Sequence, residues 1–306
     1  MTISLGEIRR NEIEPTLNNK VVLITGGTHG TGLTIASAAY ARGAQLVLGT
    51  RRPDHFRDAN KLFDNSAYGM IGDVGEPENL VKQVKDLRDE GVVVTDFIHS
   101  AASGLEPITW PLTKELIKWK TRPIPGGERL TRLQQIVHDN YDKALGKSKR
   151  VNLNGPKELL TGLSEILPEG FTFIFMSSLW STFYGQVETA HFYVPIASVK
   201  HQFEQCLTQL NANIFPSIVS GSVLKDTDLA FMIKTLSDQV PGAVVKSYNQ
   251  EFPSTVDMAE ATIDLLMTKP ENLGHLPAVR YVIGPNEIVS DFSPSDRLFS
   301  SFKINL

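Results

Sequence analysis

The sequence has a single cysteine, no long apolar run and no large excess of either charge. Cys206 by itself excludes a disulfide framework or a cysteine metal site within one chain. No stretch approaches the ~20 apolar residues of a membrane span, and the first 19 residues lack the apolar core of a signal peptide. The 306 residues carry 30 basic and 34 acidic side chains, a formal net charge of −4. We therefore expect a cytoplasmic protein that binds neither membranes nor nucleic acid.

An apolar run near the amino terminus leads directly into a glycine-rich turn. Val21 to Ile24 are typical of a strand buried on both faces. The turn that follows contains Thr25, Gly26, Thr28, His29, Gly30, Thr31 and Gly32. Glycines at these positions permit a tight turn, close backbone approach to a pyrophosphate and close packing of the next helix, whose N-terminal N–H groups face the anion. The turn predicts a dinucleotide site.

Strand-like and helix-like segments alternate along the rest of the chain. This alternation predicts a single α/β domain over residues 20–306, with a doubly wound parallel sheet of about seven strands, after an N-terminal extension at 1–19. Two long segments, about 104–150 and 222–253, follow strands and are predicted to be inserted loops. Both would emerge at the carboxyl edge of the sheet, where open α/β folds bind ligands. They are either a substrate lid or surface decoration.

The pattern Thr25-Gly-x-x-x-Gly30-x-Gly32 resembles that of the short-chain dehydrogenase/reductase superfamily, which has a Rossmann fold. The resemblance extends from about Lys20 to Gly284. It implies further cofactor contacts after four later strands, at Asp73 and Val74 beside the adenine, at Ser100 and Ala101, at Lys200, and at Gly221 near the nicotinamide amide.

The same resemblance implies a catalytic set of Asn152, Ser178, Tyr193 and Lys200. Tyr193 would donate a proton to the substrate oxygen, and Ser178 would hold that oxygen. Lys200 would bind the ribose and lower the pKa of the tyrosine. Asn152, in the segment that opens the central helix, would support the proton relay. The usual tyrosine position, 196, is Ile; the Tyr193-x6-Lys200 spacing is similar to that of enoyl-acyl-carrier-protein reductases. On a regular helix, a step of seven residues would separate Tyr193 and Lys200 by ~10 Å along the axis, which is too far for them to act together. Pro195, however, suits the first turn of a helix and predicts that Tyr193 lies just ahead of that helix.

Arginines follow the second predicted strand, where NAD-specific members of the superfamily have an acid. Arg51 and Arg52 would form charge-assisted hydrogen bonds with a 2′-phosphate, and His29 is at a position that is often basic in NADP-dependent relatives. These residues predict NADP(H) as the cofactor. The alternative is two solvated arginines after a strand.

The predicted function is NADPH-dependent reduction of a carbonyl or an α,β-unsaturated carbonyl, without a metal. The alternative is a sensor or scaffold that binds NADP without turnover, as suggested by Ile196. The substrate would be a small molecule. The basic segment 114–150 fits a carrier- or coenzyme A-linked substrate, or simply a solvated helix face. Tyr184 is either an auxiliary donor or packed surface. The resemblance also implies a homo-oligomer, paired through the helices that bear Asn152 and Lys200.

Overall fold

A sheet of eight strands organises this computed structural model, which describes residues 16–122, 124–210, 214–240, 243–246, 251–268, 276–293 and 302–304. The strands run β1 (Val21–Thr25), β2 (Gln45–Thr50), β3 (Tyr68–Ile71), β4 (Asp96–His99), β5 (Phe171–Ser178), β6 (Ile214–Gly221), β7 (Val244–Lys246), β8 (Ala278–Gly284), β9 (Glu287–Val289) and β10 (Phe302–Ile304). The short strands β7 and β10 form a separate antiparallel pair.

The spatial order of the large sheet is β3-β2-β1-β4-β5-β6-β8-β9. The first seven strands in this order are parallel, and β9 returns antiparallel to β8. The strand order therefore reverses between β1 and β4, which places a switch point at their carboxyl ends. The doubly wound parallel sheet predicted from the sequence is confirmed, and the β8–β9 hairpin adds one strand to the seven expected.

Helices cover both faces of the sheet because its strands carry apolar side chains on both sides. The helices are α1 (Gly30–Ala41), α2 (Pro53–Asn60), α3 (Glu78–Asp89), α4 (Glu106–Thr121), α5 (Gly126–Lys149), α6 (Gly155–Ser164), α7 (Leu179–Thr182), α8 (Val194–Leu207), α9 (Asp228–Gln239) and α10 (Thr255–Met267). Val22 and Ile24 pack with α1 and α10, whereas Leu23 between them packs with α3, α6 and α8. This alternation is the period of two of a strand. None of the described helices is long and apolar enough to cross a membrane.

The two segments expected to be inserted loops are largely helical. Segment 104–150 forms α4 and α5, and the described part of segment 222–253 includes α9 and β7. These helices form a third core with the start of α8, in which Leu112 and Leu116 of α4 lie with Leu133 of α5 and Leu236 of α9. Pro111 lies inside α4, and the pair Gly126-Gly127 begins α5. Packing of the apolar face of α4 therefore outweighs the tendency of Pro111 to break a helix, whereas the glycine pair only marks the start of α5. The predicted extension at 1–19 lies outside the described residues up to residue 15.

Candidate active site

The glycine turn joins β1 to α1 with the close backbone contacts that its sequence predicts. Gly26 has a φ of +70° and Gly30 a φ of +55°, a region that side chains with a Cβ rarely adopt. A Cβ on Gly32 would overlap the carbonyl oxygen of Gly26, and one on Gly26 would touch the backbone of Ala101 at 3.0 Å. The helix begins at Gly30 with no acidic residue in its first turn. Its N–H groups therefore offer an anion site that no neighbouring carboxylate of that turn opposes.

A cavity of about 450 Å³ opens above this turn. Its walls come from the carboxyl ends of the first four strands and the segments after them. The predicted cofactor residues that line it are Gly26, His29, Gly30, Thr31, Gly32, Arg51, Arg52, Asp73, Val74, Ser100 and Ala101. Thr25 and Thr28 are buried behind the turn, where the Thr25 hydroxyl accepts from the Ala101 N–H at 3.4 Å. The cavity volume falls in the range of small-ligand and cofactor sites.

One end of the cavity is cationic. Arg51 and Arg52 follow β2, and Arg52 forms a two-point ion pair with Asp54, with Nε donating to Oδ1 at 3.1 Å. The rings of His29 and His55 lie edge to face with centroids 5.8 Å apart. Burial lowers the pKa of His29, and the neighbouring His55 and Arg51 add to this effect. A ligand phosphate here would meet two guanidinium groups and two imidazoles.

Asp73 and Val74, which follow β3, also line the cavity. Asp73 Oδ1 accepts from the Gly75 N–H at 2.9 Å, and its Oδ2 lies 3.1 Å from Arg150 Nη2. Arg150 belongs to a π-helical segment, Arg150–Asn154, that connects α5 to α6. The ion pair thus links the loop after β3 to the central helix, which is the continuous helical stretch from α5 through α6.

Asn152 lies in that same π-helical segment, inside a continuous helical stretch from 126 to 164. The expectation that this residue opens the central helix is therefore wrong, because α5 precedes it without a break. Its Nδ2 donates to Ser103 O at 2.7 Å and to the Ser148 hydroxyl at 2.8 Å, while its Oδ1 accepts from the Ser103 N–H at 3.2 Å. The side chain thus fixes the loop after β4 to the central helix.

Ser178 and Tyr193 meet at the end of β5. Tyr193 ends a short 3-10 turn, His191–Tyr193, directly ahead of α8, with Pro195 in the first turn of that helix. This is the position that Pro195 predicts. Tyr193 is 9% exposed and packs on Trp180 with ring centroids 5.1 Å apart. Burial raises the pKa of Tyr193, and the hydrogen-bonding contact with Ser178 acts in the opposite direction. A buried phenol beside a hydroxyl is well suited to donate a hydrogen bond in its neutral form.

Lys200 lies in the second turn of α8, and its ammonium group donates to Met176 O at 2.9 Å. The side chain is 7% exposed and lies over the ring of Phe175. Burial lowers the pKa of Lys200 to about 8, and the carboxylate of Glu204 opposes this effect. The resemblance implies that Lys200 lowers the tyrosine pKa; in this arrangement, burial of Tyr193 is the largest influence and raises that pKa.

Solved structures are similar to this fold over most of the chain. A short-chain dehydrogenase/reductase of the glucose/ribitol dehydrogenase type from Brucella melitensis matches with a TM-score of 0.60 and 14% identity, over 89% of this chain and 98% of that one. The reductase LugOII, which catalyses keto-reduction at C1 during lugdunomycin biosynthesis, matches with a TM-score of 0.56, 14% identity and coverages of 89% and 97%. A short-chain dehydrogenase from Salmonella enterica serovar Typhi matches with a TM-score of 0.57 and 16% identity, over 87% of this chain and 98% of that one.

The chain has the fold of the short-chain dehydrogenase/reductases. No protein-family model and no curated protein matches this sequence. The sheet topology and the matches to solved structures confirm the Rossmann fold that the glycine pattern predicts. In this fold, Gly221 ends β6 and lies beside Ser178 in the register of β5 and β6, at the carboxyl edge expected for a nicotinamide contact.

Within this short-chain dehydrogenase/reductase fold, the site contains residues that the sequence reasoning missed. His55 and Glu106 line the cavity, and Glu204 is buried beside Lys200. His55 lies on α2 four residues beyond Arg51, so a search of the segment after β2 for further cations would have found it. Glu204 follows Lys200 by one helical turn, and a charged residue at that spacing on a buried helix face is itself a signal.

The basic segment 114–150 forms the outer faces of α4 and α5. Several of its cations bond within the chain: Lys118 and Arg132 lie 3.1 and 3.6 Å from Glu115, Lys147 lies 3.2 Å from Glu106, and Arg129 donates to Gln239 O at 2.7 Å. These contacts favour the solvated helix face over a dedicated anion site for this part of the segment. Tyr184 packs against His201, with ring centroids 5.9 Å apart.

Proposed function

We propose that this protein is an NADPH-dependent oxidoreductase that reduces a carbonyl or an α,β-unsaturated carbonyl compound. One observation carries the proposal: a glycine-turn cavity with a cationic end lies at the same edge of the sheet as Ser178 and the buried Tyr193 that it contacts. The cavity fits a dinucleotide because glycines leave room for its pyrophosphate, and the guanidinium groups of Arg51 and Arg52 would bind a 2′-phosphate. The bound cofactor supplies the hydride.

The protein groups act on the oxygen atom that becomes negative during reduction. Tyr193 donates its hydroxyl proton, or a hydrogen bond, to that oxygen, and the Ser178 hydroxyl holds it in place. Lys200 contributes a positive charge near the end of β5 and would bind the ribose of the cofactor. Asn152 keeps the loop after β4 against the central helix and so fixes the position of that wall of the site. The oxyanion is an alkoxide for a ketone and an enolate for an enone.

The likeness to LugOII supports the carbonyl branch of this proposal at the level of fold, because that protein catalyses a keto-reduction. A non-catalytic NADP-binding protein is the second candidate. It is favoured by the burial of Tyr193, whose ring packs on Trp180, because a buried hydroxyl is less accessible to a substrate.

Comparison of Tyr193→Phe with the unmodified protein tests the proposal. NADPH binding is followed by the change in its fluorescence, and turnover by NADPH oxidation with a panel of ketones and enones. We expect Tyr193→Phe to bind NADPH with nearly unchanged affinity and to lose about 10²- to 10⁴-fold in activity. Tyr68→Phe, on β3 at the far side of the sheet, is the matched control and should keep full activity.

Two results would contradict the proposal in different ways. Full activity of Tyr193→Phe would remove this residue from the mechanism. NADPH binding without turnover of any compound in the panel would favour the non-catalytic candidate.

A further inference from the structure

A carboxylate that the proposed chemistry does not use is buried below the active site. Glu204 is 7% exposed and lies one turn after Lys200 on α8. Its Oε1 accepts a short hydrogen bond from the Ser177 hydroxyl and a second, at 3.2 Å, from Thr182 Oγ1. Carboxylates are seldom buried to this extent without a charged partner, so the position of Glu204 calls for a physical reason.

The contacts of Glu204 connect three elements that shape the site. Ser177 precedes Ser178, the last residue of β5, and Thr182 ends α7, the short helix that follows. The Thr182 hydroxyl lies 2.7 Å from the Ser220 hydroxyl, which precedes Gly221 at the end of β6. The carboxylate is therefore the centre of a polar network that joins the ends of β5 and β6 through α7.

Glu204 and Lys200 oppose the effect of burial on each other. Burial raises the pKa of Glu204 to about 7, whereas Ser177, Thr182 and the charge of Lys200 favour its ionised form. Burial lowers the pKa of Lys200 to about 8, whereas Glu204 favours its charged form. Loss of either charge would leave the other ion buried without compensation, which is strongly unfavourable.

We propose that Glu204 is a positioning residue of the active site, which keeps Lys200 protonated and holds the ends of β5 and β6 together. This inference rests on the proposed function, because it assigns to Glu204 the maintenance of the charge that Lys200 offers to the cofactor. Titratable groups on three other elements face the pair: His99 at the end of β4, Tyr193 ahead of α8, and Tyr281 on β8.

Glu204→Gln tests the proposal because it keeps the shape and an acceptor oxygen but removes the charge. Without that charge, Lys200 loses its proton at a lower pH. The NADPH dissociation constant and kcat/KM are measured from pH 6 to pH 9.5. We expect the alkaline limb of both profiles to shift to lower pH by about one unit, which approaches a tenfold loss of NADPH affinity above pH 8.

Asp96→Asn is the matched control. Asp96 is also a buried carboxylate near a lysine, since it lies 2.8 Å from Lys20 Nζ, but it is at the start of β4, at the opposite edge of the sheet. Its substitution should leave both pH profiles unchanged. A general effect of removing a buried carboxylate would shift the profiles of both variants equally and would overturn the proposal.

Two milder variants cover the case in which Glu204→Gln does not fold. Ser177→Ala and Thr182→Val each remove one hydrogen bond that favours ionised Glu204, and should shift the alkaline limb in the same direction by a smaller amount. An unchanged limb in every folded variant overturns the role of Glu204. Failure of the unmodified protein to bind NADPH at any pH would instead overturn the proposed function.

Discussion

Thr25 and His99 join the ends of β1 and β4 at the floor of the site: Thr25 Oγ1 lies 3.0 Å from His99 Nδ1. His99 is 1% exposed and stacks on Phe175 with ring centroids 5.9 Å apart. Burial, together with the charge of Lys200, lowers the pKa of His99 to about 3 from its usual value of 6.5. The imidazole is thus neutral in the folded protein, and it lies behind the loop that carries Ser100 and Ala101.

Protonation of His99 should destabilise the fold at moderately acidic pH. Its pKa is lower in the folded than in the unfolded chain, so the unfolded chain binds the proton more readily. The contribution of neutral His99 to the free energy of unfolding is therefore fully present above about pH 6.5 and is lost progressively as the pH falls toward about 3. Between pH 7 and pH 5 the contribution of His99 is a loss of about 2 kcal/mol in the free energy of unfolding, measurable by urea denaturation.

His99→Gln should reduce the difference in stability between pH 7 and pH 5 by that amount, whatever its effect at pH 7. His138→Gln, at an exposed position on α5, is the control and should keep the full difference. Equal pH dependence in the His99 variant and the unmodified protein would show that another group is responsible.

Gly32→Ala should disrupt the dinucleotide site. The added Cβ would overlap the carbonyl oxygen of Gly26, so the turn must open and the N-terminal N–H groups of α1 must move. We expect NADPH affinity to fall by more than about tenfold, or 1.4 kcal/mol, in a fluorescence titration. Gly146→Ala provides the comparison, since a Cβ there meets open space on α5 and should stabilise the helix by about 0.5–1 kcal/mol. Unchanged NADPH affinity in Gly32→Ala would place the pyrophosphate elsewhere.

The ion pair between Arg52 and Asp54 should limit the affinity for NADPH. Asp54 holds the guanidinium at two points, so a 2′-phosphate must compete with a carboxylate for the same donors. We expect Asp54→Asn to strengthen NADPH binding severalfold and to leave NADH binding unchanged. The double variant Arg51→Ala with Arg52→Ala should weaken NADPH much more than NADH.

Arg57→Ala is the control for these variants, because Arg57 is exposed on α2 and does not line the cavity. Calorimetric titration with each nucleotide would separate the two cofactors. Equal losses for NADPH and NADH in the double arginine variant would contradict the assignment of a 2′-phosphate to this end of the cavity.

Local sequence predicted those parts of the site in which backbone geometry follows from neighbouring residues. The glycine turn is one such part, because Gly26 and Gly32 are needed wherever a strand turns so tightly into a helix. Tyr193 is another, because Pro195 confines α8 to start at about this position. Most of the parallel strands were predictable because they are short apolar runs, and β1, β2, β5 and β6 are buried on both faces.

The inserted segments were predictable only in part. Pro111 and the pair Gly126-Gly127 indicated loops, yet α4 buries Ile108, Leu112, Leu116 and Trp119, which recur at helical spacing. That period was present in the sequence and would have predicted the helix. The π-helical segment at Arg150–Asn154 carries no comparable local signal, so the place of Asn152 inside a long helix depends on packing of that helix against α8.

The amino-acid sequence by itself determined where the chain turns, which strands are buried and which end of the cofactor site is cationic, because these properties depend on residues close together along the chain. The tertiary structure alone decided that Ser177, Thr182, Ser220 and Glu204 share one polar network near Lys200, and that Asn152 holds the loop at Ser103. The physical reason is that the ionisation of a buried group depends on desolvation and on partners from distant segments, and both exist only once the sheet and its helices have packed together.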